Sequence, residues 1–179
     1  MASHFIFLDR DGVINRDRAQ SVCHRSEFEL IDSVTDAIRQ LNEKGYRVIV
    51  ITNQACVGRG DLDPDELEVI HEQMVESVEA AGGRIADIYV CPHTDADECE
   101  CRKPRPGLLK QAAAEYDVDL SNTWFIGDDK RDMQAATAAG CKPGIVRTGK
   151  GAQWTPPDEV PVFDDLYDFA PRIVPVAHD

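Results

Sequence analysis

The chain has 179 residues, 42% of them hydrophobic and 29% charged, a composition ordinary for a single globular domain over 1–179. Its formal net charge of −14 argues against nucleic acid or an anionic membrane surface as a partner, and it requires any anion site to be locally positive. The chain has neither an apolar run of the roughly 18 residues that span a bilayer nor a basic N-terminal region typical of signal peptides, so we expect a cytoplasmic monomer.

The first predicted element is a buried strand over 5–8, and two aspartates follow it directly. Asp9 and Asp11 fall at the carboxyl end of this strand, where open α/β sheets bind ligands. Residues at i and i+2 of an extended chain point the same way, so both carboxylates can face one site. Such a pair suits Mg²⁺, with one carboxylate as nucleophile and the other moving a proton. The DxD spacing alone, however, favours a solvated acidic turn.

A polar loop and a helix connect the first two strands. The loop over 16–26 leaves the first strand at the same edge, and we expect it to cover the site. Ser33 is a candidate N-cap, apolar residues recur at helical spacing over 34–41, and Gly45 ends the helix.

The second buried strand is predicted over 47–51, and it ends in Thr52, Asn53 and Gln54. A hydroxyl and backbone N–H groups at this position can hold phosphate oxygens, although Thr52 has an equal chance of merely capping the strand end. Arg59 lies in the glycine-containing loop that follows, where it either binds an anion or lies on the surface.

A long helix begins after Asp63, the predicted N-cap, with Pro64 at the first helical position. Its apolar stripe over 67–78 belongs to the core. His71 has no partner at metal-ligand spacing on this helix, so we interpret it as structural or exposed. A short third strand is predicted over 87–90.

A cysteine-rich loop over 91–101 follows the third strand. Its pattern, C-x-H-x5-C-x-C, comprises Cys91, His93, Cys99 and Cys101. Three thiolates and one imidazole complete the tetrahedral shell of a structural zinc site, and the polar loop has no core of its own. Free cysteines or a disulfide are the alternatives.

The basic segment RKPRPG over 102–107 supplies the positive charge that an anion site requires in so acidic a chain. Lys103 can neutralise both a phosphate and a nearby carboxylate, while Arg102 can form a fork to a second anion. A surface basic patch before a helix is the alternative, and it fits the acidic composition poorly.

An apolar strand ending at Gly127 repeats the pattern of the first strand, because acidic residues follow it. Asp128 is the predicted third metal ligand. Asp132, one helical turn later, can bind the metal through water or hold Lys103. The remaining predicted elements are a helix over 133–139, a strand and turn over 144–149, an edge strand over 160–163 and a closing helix over 166–173.

The segment FLDRDGVIN over 7–15 resembles the first motif of the haloacid dehalogenase-like (HAD) phosphatases. Thr52, Lys103 and Asp128 match the later motifs of that family in the same order, so the resemblance extends over roughly 5–150. It implies a Rossmann-like, three-layer, doubly wound parallel α/β sheet.

The resemblance also implies roles for individual residues. Asp9 is expected to become an aspartyl-phosphate, with Asp11 as general acid and base and with Thr52 and Lys103 as the other catalytic residues. Mg²⁺ is expected to bind Asp9, Asp11 and Asp128.

The zinc loop before the RKP sequence resembles the branch of the family that lacks a cap domain and holds heptose 1,7-bisphosphate phosphatases and histidinol-phosphate phosphatases. TNQ, KPRPGLL and VRTGKG are similar to the heptose enzymes. This resemblance implies a small phosphorylated sugar as substrate, bound by Arg102 at its second phosphate and by Asp17, Gln20, Asn53, Gln54 and Arg59.

Three features depart from the heptose pattern, one of them the loop over 16–26, which has no aromatic residue. Ala55-Cys56 stands where Ser-Gly is usual, and Asp129 where a lysine is often found. A histidinol-phosphate phosphatase therefore stays open as an alternative, and so does a zinc-stabilised binding protein without catalytic activity.

Overall fold

The computed structural model describes residues 4–176 and shows a six-stranded parallel sheet with helices on both faces. The strands lie in the order β3-β2-β1-β4-β5-β6, so the first strand is central and the doubly wound fold predicted from the sequence is confirmed. The strands are β1 His4–Leu8, β2 Tyr46–Asn53, β3 Ile85–Cys91, β4 Trp124–Gly127, β5 Lys142–Val146 and β6 Val162–Phe163. The helices are α1 Val34–Glu43, α2 Ala55–Gly58, α3 Pro64–Ala80, α4 Gly107–Tyr116, α5 Lys130–Ala139 and α6 Leu166–Phe169.

The central strand β1 contributes to two separate cores. Ile6 and Leu8 point to the face that α1, α3 and α6 cover, and Phe5 and Phe7 point to the face that α4 and α5 cover. Successive side chains of a strand alternate between the two faces of the sheet, and all four are buried because helices cover both faces. Covering both faces explains why the strand is a continuous apolar run rather than an alternating one.

Acidic residues set the starts of helices α3 and α5. The Asp63 side chain accepts a hydrogen bond from the Asp65 backbone N–H, which confirms the predicted cap of α3. In the same way, Asp129 caps α5 and forms a reciprocal capping box with Asp132. Helix α5 therefore begins at Lys130, three residues earlier than predicted.

The predicted N-cap of α1 has a different conformation from the one expected. Ser33 lies at the start of the helix, but its φ is +63°, in the left-handed region. Ser33 therefore occupies the predicted N-cap position, but its side chain makes no capping hydrogen bond, since a side-chain cap usually requires extended backbone.

No insertion between the described elements forms a cap domain over the carboxyl edge of the sheet. Within 4–176, every helix is too short or too polar to cross a lipid bilayer.

Candidate active site

The carboxyl ends of β1, β2 and β4 meet at a cavity of about 170 Å³. The structure brings eight of the predicted site residues to its wall: Asp9, Asp11, Asp17, Asn53, Arg59, Arg102, Lys103 and Asp128. Thr52 and Gln54 are buried, at 0% and 1% exposure, and they support the wall instead of lining it. Gln20 lies in a separate surface depression formed by its own loop.

Lys103 is the buried cation at the centre of this cavity wall. Its Nζ lies 2.9 Å from Asp9 Oδ1 and 2.7 Å from Asp132 Oδ1, and it donates to the Ile51 carbonyl at 3.0 Å. Burial to 3% exposure opposes the charge, but Asp132 and Asp9 outweigh it and raise the pKa of Lys103. The side chain is therefore a fixed positive charge beside Asp9.

Asn53 holds the main chain of Lys103 in place. Its Nδ2 donates to the Lys103 carbonyl at 3.1 Å, and its Oδ1 accepts from the Lys103 backbone N–H at 3.1 Å. The end of β2 is thereby joined to the segment that follows the cysteine-rich loop. Substrate contact by Asn53 stays a prediction.

Three side chains hold the carboxylate of Asp11. Asn15 Nδ2 and Arg10 Nη2 each donate to Oδ1 at 2.9 Å, and Gln54 Nε2 donates to Oδ2 at 2.8 Å. Gln54 Nε2 also donates to Thr52 Oγ1 at 2.8 Å, so the end of β2 and the end of β1 share one network. Burial raises the pKa of Asp11, but Arg10 and these hydrogen bonds outweigh it and the pKa lies below its usual value.

Asp9, Asp128 and Asp132 form a buried carboxylate group in which one oxygen from each side chain lies within 4.8 Å of the other two. Burial, followed by the charge of Asp132, raises the pKa of Asp128 to about 7 and holds that of Asp9 well above its usual value. A Cβ at Gly12 would lie 2.2 Å from Asp128 Oδ2, and one at Gly149 would lie 2.1 Å from it. The Asp128 carboxylate is thus confined to a slot.

Mg²⁺ fits this donor set, because it is a hard cation that prefers carboxylate oxygens. Asp11 and the group of three buried carboxylates share two buried cations, Arg10 and Lys103, which leaves negative charge for a divalent ion to offset. The site therefore offers a carboxylate that can act as a nucleophile, a second carboxylate held by three hydrogen bonds and a group of oxygens that can hold a metal.

Asp132 anchors Lys103, one of the two roles predicted for it. Its Oδ2 accepts from the backbone N–H groups of Asp128 and Asp129 at 3.1 and 3.0 Å, while its Oδ1 pairs with Lys103. Asp11 lies outside the group of three clustered carboxylates, and its contact with Mg²⁺ stays a prediction.

The predicted zinc ligands come together in one cluster. Cys101 Sγ lies 3.2 Å from Cys91 Sγ, 3.4 Å from Cys99 Sγ and 3.2 Å from His93 Nδ1, and Cys91 Sγ lies 3.7 Å from Cys99 Sγ. These sulfur distances exceed a disulfide bond of about 2.05 Å and are close to the roughly 3.8 Å between sulfurs of a tetrahedral zinc site. The donor set and the spacing fit Zn²⁺ with all four positions filled by protein.

The rim of the cavity carries three arginines that form ion pairs with nearby aspartates. Arg102 Nε lies 2.6 Å from Asp95 Oδ1, and Arg131 Nη1 lies 3.9 Å from the same oxygen. Asp95 belongs to the cysteine-rich loop, so that loop orients Arg102. Arg59 is more exposed and pairs with Asp61 at 2.8 Å.

Lys150 joins the loop after β5 to the same rim. Its Nζ lies 3.3 Å from Asp129 Oδ2 and 4.0 Å from Asp17 Oδ2, and its backbone N–H donates to Asp128 Oδ2 at 2.7 Å. Sequence reasoning missed Arg10, Arg131 and Lys150. Arg131 carried one usable signal, since it is a basic residue within the acidic run DDKRD over 128–132.

Comparison with known proteins agrees with this geometry. Residues 100–169 match the HAD-hydrolase-like family. The D-glycero-beta-D-manno-heptose-1,7-bisphosphate 7-phosphatase of Neisseria meningitidis is 42% identical over 175 residues, which cover 94% of each chain. The protein of the same name from Pseudomonas aeruginosa is 42% identical, over 93% of this chain and 95% of its own.

A solved structure shows the same likeness. The D,D-heptose 1,7-bisphosphate phosphatase from B. bronchiseptica, complexed with magnesium and phosphate, superposes with a TM-score of 0.90 at 39% identity, covering 94% of this chain and 97% of its own. The fold and the site define a metal-dependent enzyme that acts on phosphoric monoesters. The chain belongs to the haloacid dehalogenase-like phosphatases.

Proposed function

We propose that this protein removes the 7-phosphate from D-glycero-D-manno-heptose 1,7-bisphosphate and releases the heptose 1-phosphate. One observation carries the proposal. This chain is 42% identical, over 94% of its length, to a protein named as the 7-phosphatase of that bisphosphate, and it has Asp9, Lys103 and Asp128 around one cavity. The capless fold supports it, because the cavity opens directly to small substrates.

In the proposed reaction, a carboxylate oxygen of Asp9 attacks the phosphorus in line and the bond to the sugar oxygen breaks. Asp11 gives its proton to the leaving sugar oxygen, and the phosphoryl group stays on Asp9. A water then attacks the phosphorus, Asp11 takes a proton from that water, and inorganic phosphate leaves with Asp9 restored.

The charges of the site support these roles. Lys103 Nζ, 2.9 Å from Asp9 Oδ1, is a fixed cation for the transferring phosphoryl group. A bound phosphate brings negative charge next to Asp11 and raises its pKa, which favours the protonated form in the substrate complex. Mg²⁺, for which we propose Asp9, Asp11 and Asp128 as ligands, supplies further charge neutralisation when bound.

The size of the cavity supports recognition of the rest of the substrate at the rim. About 170 Å³ is less than the roughly 300 Å³ at which ordinary small-molecule pockets begin, so the cavity takes the reacting phosphate and leaves the rest of the substrate to the rim. We propose that Arg102, turned by Asp95, binds the second phosphate, and that Asp17 and Arg59 border the sugar.

We also propose a single domain over 1–179 that acts as a cytoplasmic monomer without nucleic acid or membrane. The net charge of −14 supports this, and so do six cysteines without a disulfide among the described residues, as in a reducing compartment. Size-exclusion chromatography with light scattering tests the oligomeric state.

A phosphate-release screen tests the proposed reaction. Purified protein with Mg²⁺ is assayed on the heptose bisphosphate, fructose 1,6-bisphosphate and histidinol phosphate, with Asp9→Asn as the control. We expect the highest kcat/KM on the heptose bisphosphate and loss of at least about a thousandfold in the variant. Equal or faster turnover of histidinol phosphate would contradict the substrate, and unchanged release by Asp9→Asn would contradict the mechanism. No release from any of them would favour the binding protein.

A further inference from the structure

Arg10 is a charged side chain with 0% exposure, directly behind the proposed proton-transfer residue. Its Nη2 donates to Asp11 Oδ1 at 2.9 Å, and its Nη1 lies 3.1 Å from His71 Nε2. The guanidinium carbon lies 5.9 Å from the centre of the Phe28 ring. A buried guanidinium is costly unless partners satisfy it, so this arrangement requires a physical reason.

The contact with Arg10 determines the protonation state of His71. Arginine has only donors, so Nε2 of His71 must accept, and the ring proton of the neutral imidazole lies on Nδ1. Burial and the charge of Arg10 lower the pKa of His71 to about 4, which agrees with a neutral ring. His71 is thus a neutral acceptor that fixes one arm of the guanidinium.

His71 is important to Arg10 because the guanidinium has few other contacts. Among the described residues, the buried Nε of Arg10 has no hydrogen-bond partner, so Asp11 and His71 supply the polar contacts of the side chain. The two contacts hold opposite arms of a rigid fork. Loss of His71 would leave the fork free to turn about its contact with Asp11.

We propose that Arg10 and His71 are positioning residues that fix the carboxylate of Asp11 for proton transfer. Helix α3 presents His71, His71 fixes the guanidinium, and the guanidinium fixes Asp11 Oδ1 together with Asn15. This inference rests on the role proposed for Asp11, and it adds two residues that do not line the cavity.

Such a device acts on the chemical step and not on binding. Asp11 transfers a proton only as the reaction proceeds, so its misplacement lowers kcat and leaves KM nearly unchanged. A displacement of about 1 Å at a catalytic group can cost about a hundredfold in rate.

A matched pair of variants tests the inference on the full-length protein. His71→Leu removes the acceptor, His71→Gln keeps an acceptor oxygen, and Gln73→Leu makes a similar change at an exposed position on the same helix. We expect kcat for phosphate release to fall about ten- to a hundredfold in His71→Leu with KM changed less than threefold. We expect His71→Gln to restore most of the loss and Gln73→Leu to behave as wild type.

Arg10→Lys keeps the charge but cannot reach two partners with one fork, so it should show the same loss of kcat. This second variant keeps the test decisive where His71→Leu does not fold, as judged by its unfolding midpoint. Wild-type kcat in His71→Leu and Arg10→Lys would overturn this inference and leave the proposed function intact. Equal losses of kcat in His71→Leu and His71→Gln would do the same. A wild-type protein that releases no phosphate would overturn both the proposed function and the inference.

Discussion

Lys103 Nζ lies 2.7 Å from Asp132 Oδ1, although the two residues belong to separate elements of the fold. Lys103 follows the cysteine-rich loop, and Asp132 lies in the first turn of α5. The second oxygen of Asp132 holds the backbone after β4, so one carboxylate ties the buried cation to the strand end that carries Asp128.

Asp132→Asn should therefore destabilise the protein and slow it. The change leaves a buried lysine with one carboxylate partner, which we expect to cost about 3 kcal/mol in the free energy of unfolding. We also expect kcat to fall at least tenfold. Urea denaturation and steady-state kinetics measure the two effects.

Asp117→Asn is the matched control for this prediction. Asp117 is exposed and has φ +53°, a conformation that asparagine tolerates well. A loss of stability in Asp132→Asn no greater than in this control would contradict the anchoring role.

Removal of one zinc ligand should affect activity through the position of Arg102 and Lys103. Cys99→Ser is expected to lower zinc content from one ion per chain to a small fraction, and to reduce the melting temperature. The activity loss follows because Arg102 and Lys103 come directly after the loop. Elemental analysis of the purified protein and thermal melting measure both effects.

Cys23→Ser should keep its zinc, since Cys23 lies on the loop after β1, outside the described cluster. One zinc per chain in Cys99→Ser, with an unchanged melting temperature, would disprove the four-ligand site.

The depressed pKa of His71 predicts a specific loss of stability in acid. Its pKa is about 4 in the folded protein against an ordinary 6.5, so between these values the unfolded chain binds a proton that the folded chain does not. The contribution of His71 to the free energy of unfolding is complete above pH 6.5. It is lost as pH falls toward 4, by up to about 3 kcal/mol. Urea denaturation at pH 7.5 and 4.5 measures it.

His71→Gln is the comparison, because glutamine does not titrate. Its free energy of unfolding should fall less than that of wild type between the two pH values. Parallel losses in the two proteins would show that His71 does not contribute to the acid sensitivity.

Arg102→Lys should weaken binding of a substrate with two phosphates. Lysine keeps the charge but lacks the fork that binds a phosphate through two hydrogen bonds. Loss of one charge-assisted hydrogen bond is worth about 1.5 kcal/mol, or about tenfold in KM, with kcat little changed. The KM values of the heptose bisphosphate and of the heptose 7-phosphate provide the measurement.

The KM of the 7-phosphate should change much less, because that molecule lacks the second phosphate. Arg39→Lys, on α1 and paired with Glu43, is the control. Equal changes in the KM of both substrates would contradict the proposal that Arg102 binds the second phosphate.

The sequence predicts the centre of the site well because its signals are local. Apolar strands followed at once by polar side chains placed Asp9, Asp11 and Asp128 at one edge, and the structure confirms this placement. The cluster of proposed zinc ligands was equally predictable from the sequence, since four donors within one short loop need little knowledge of the fold.

Contacts that depend on packing were not predictable from local pattern. His71 meets Arg10 only because of the way α3 lies against the sheet, and helical spacing does not give that orientation. Gln54 turns inward to Asp11 because of the backbone path after β2, which hydropathy does not reveal. Asp129 departs from the family pattern at a position where the structure shows a helix cap, and a capping box over 129–132 was the missed signal.

The Asp128 carboxylate leaves no space for a methyl group at Gly12 or at Gly149. In contrast, Arg59, Arg131 and Lys150 have long, partly exposed side chains at the mouth of the cavity. Substitutions that change the substrate are thus tolerated at the mouth of the cavity, whereas substitutions of Gly12 and Gly149 would displace Asp128. A directed-evolution library that randomises only the three basic positions should yield altered selectivity while retaining the same chemistry.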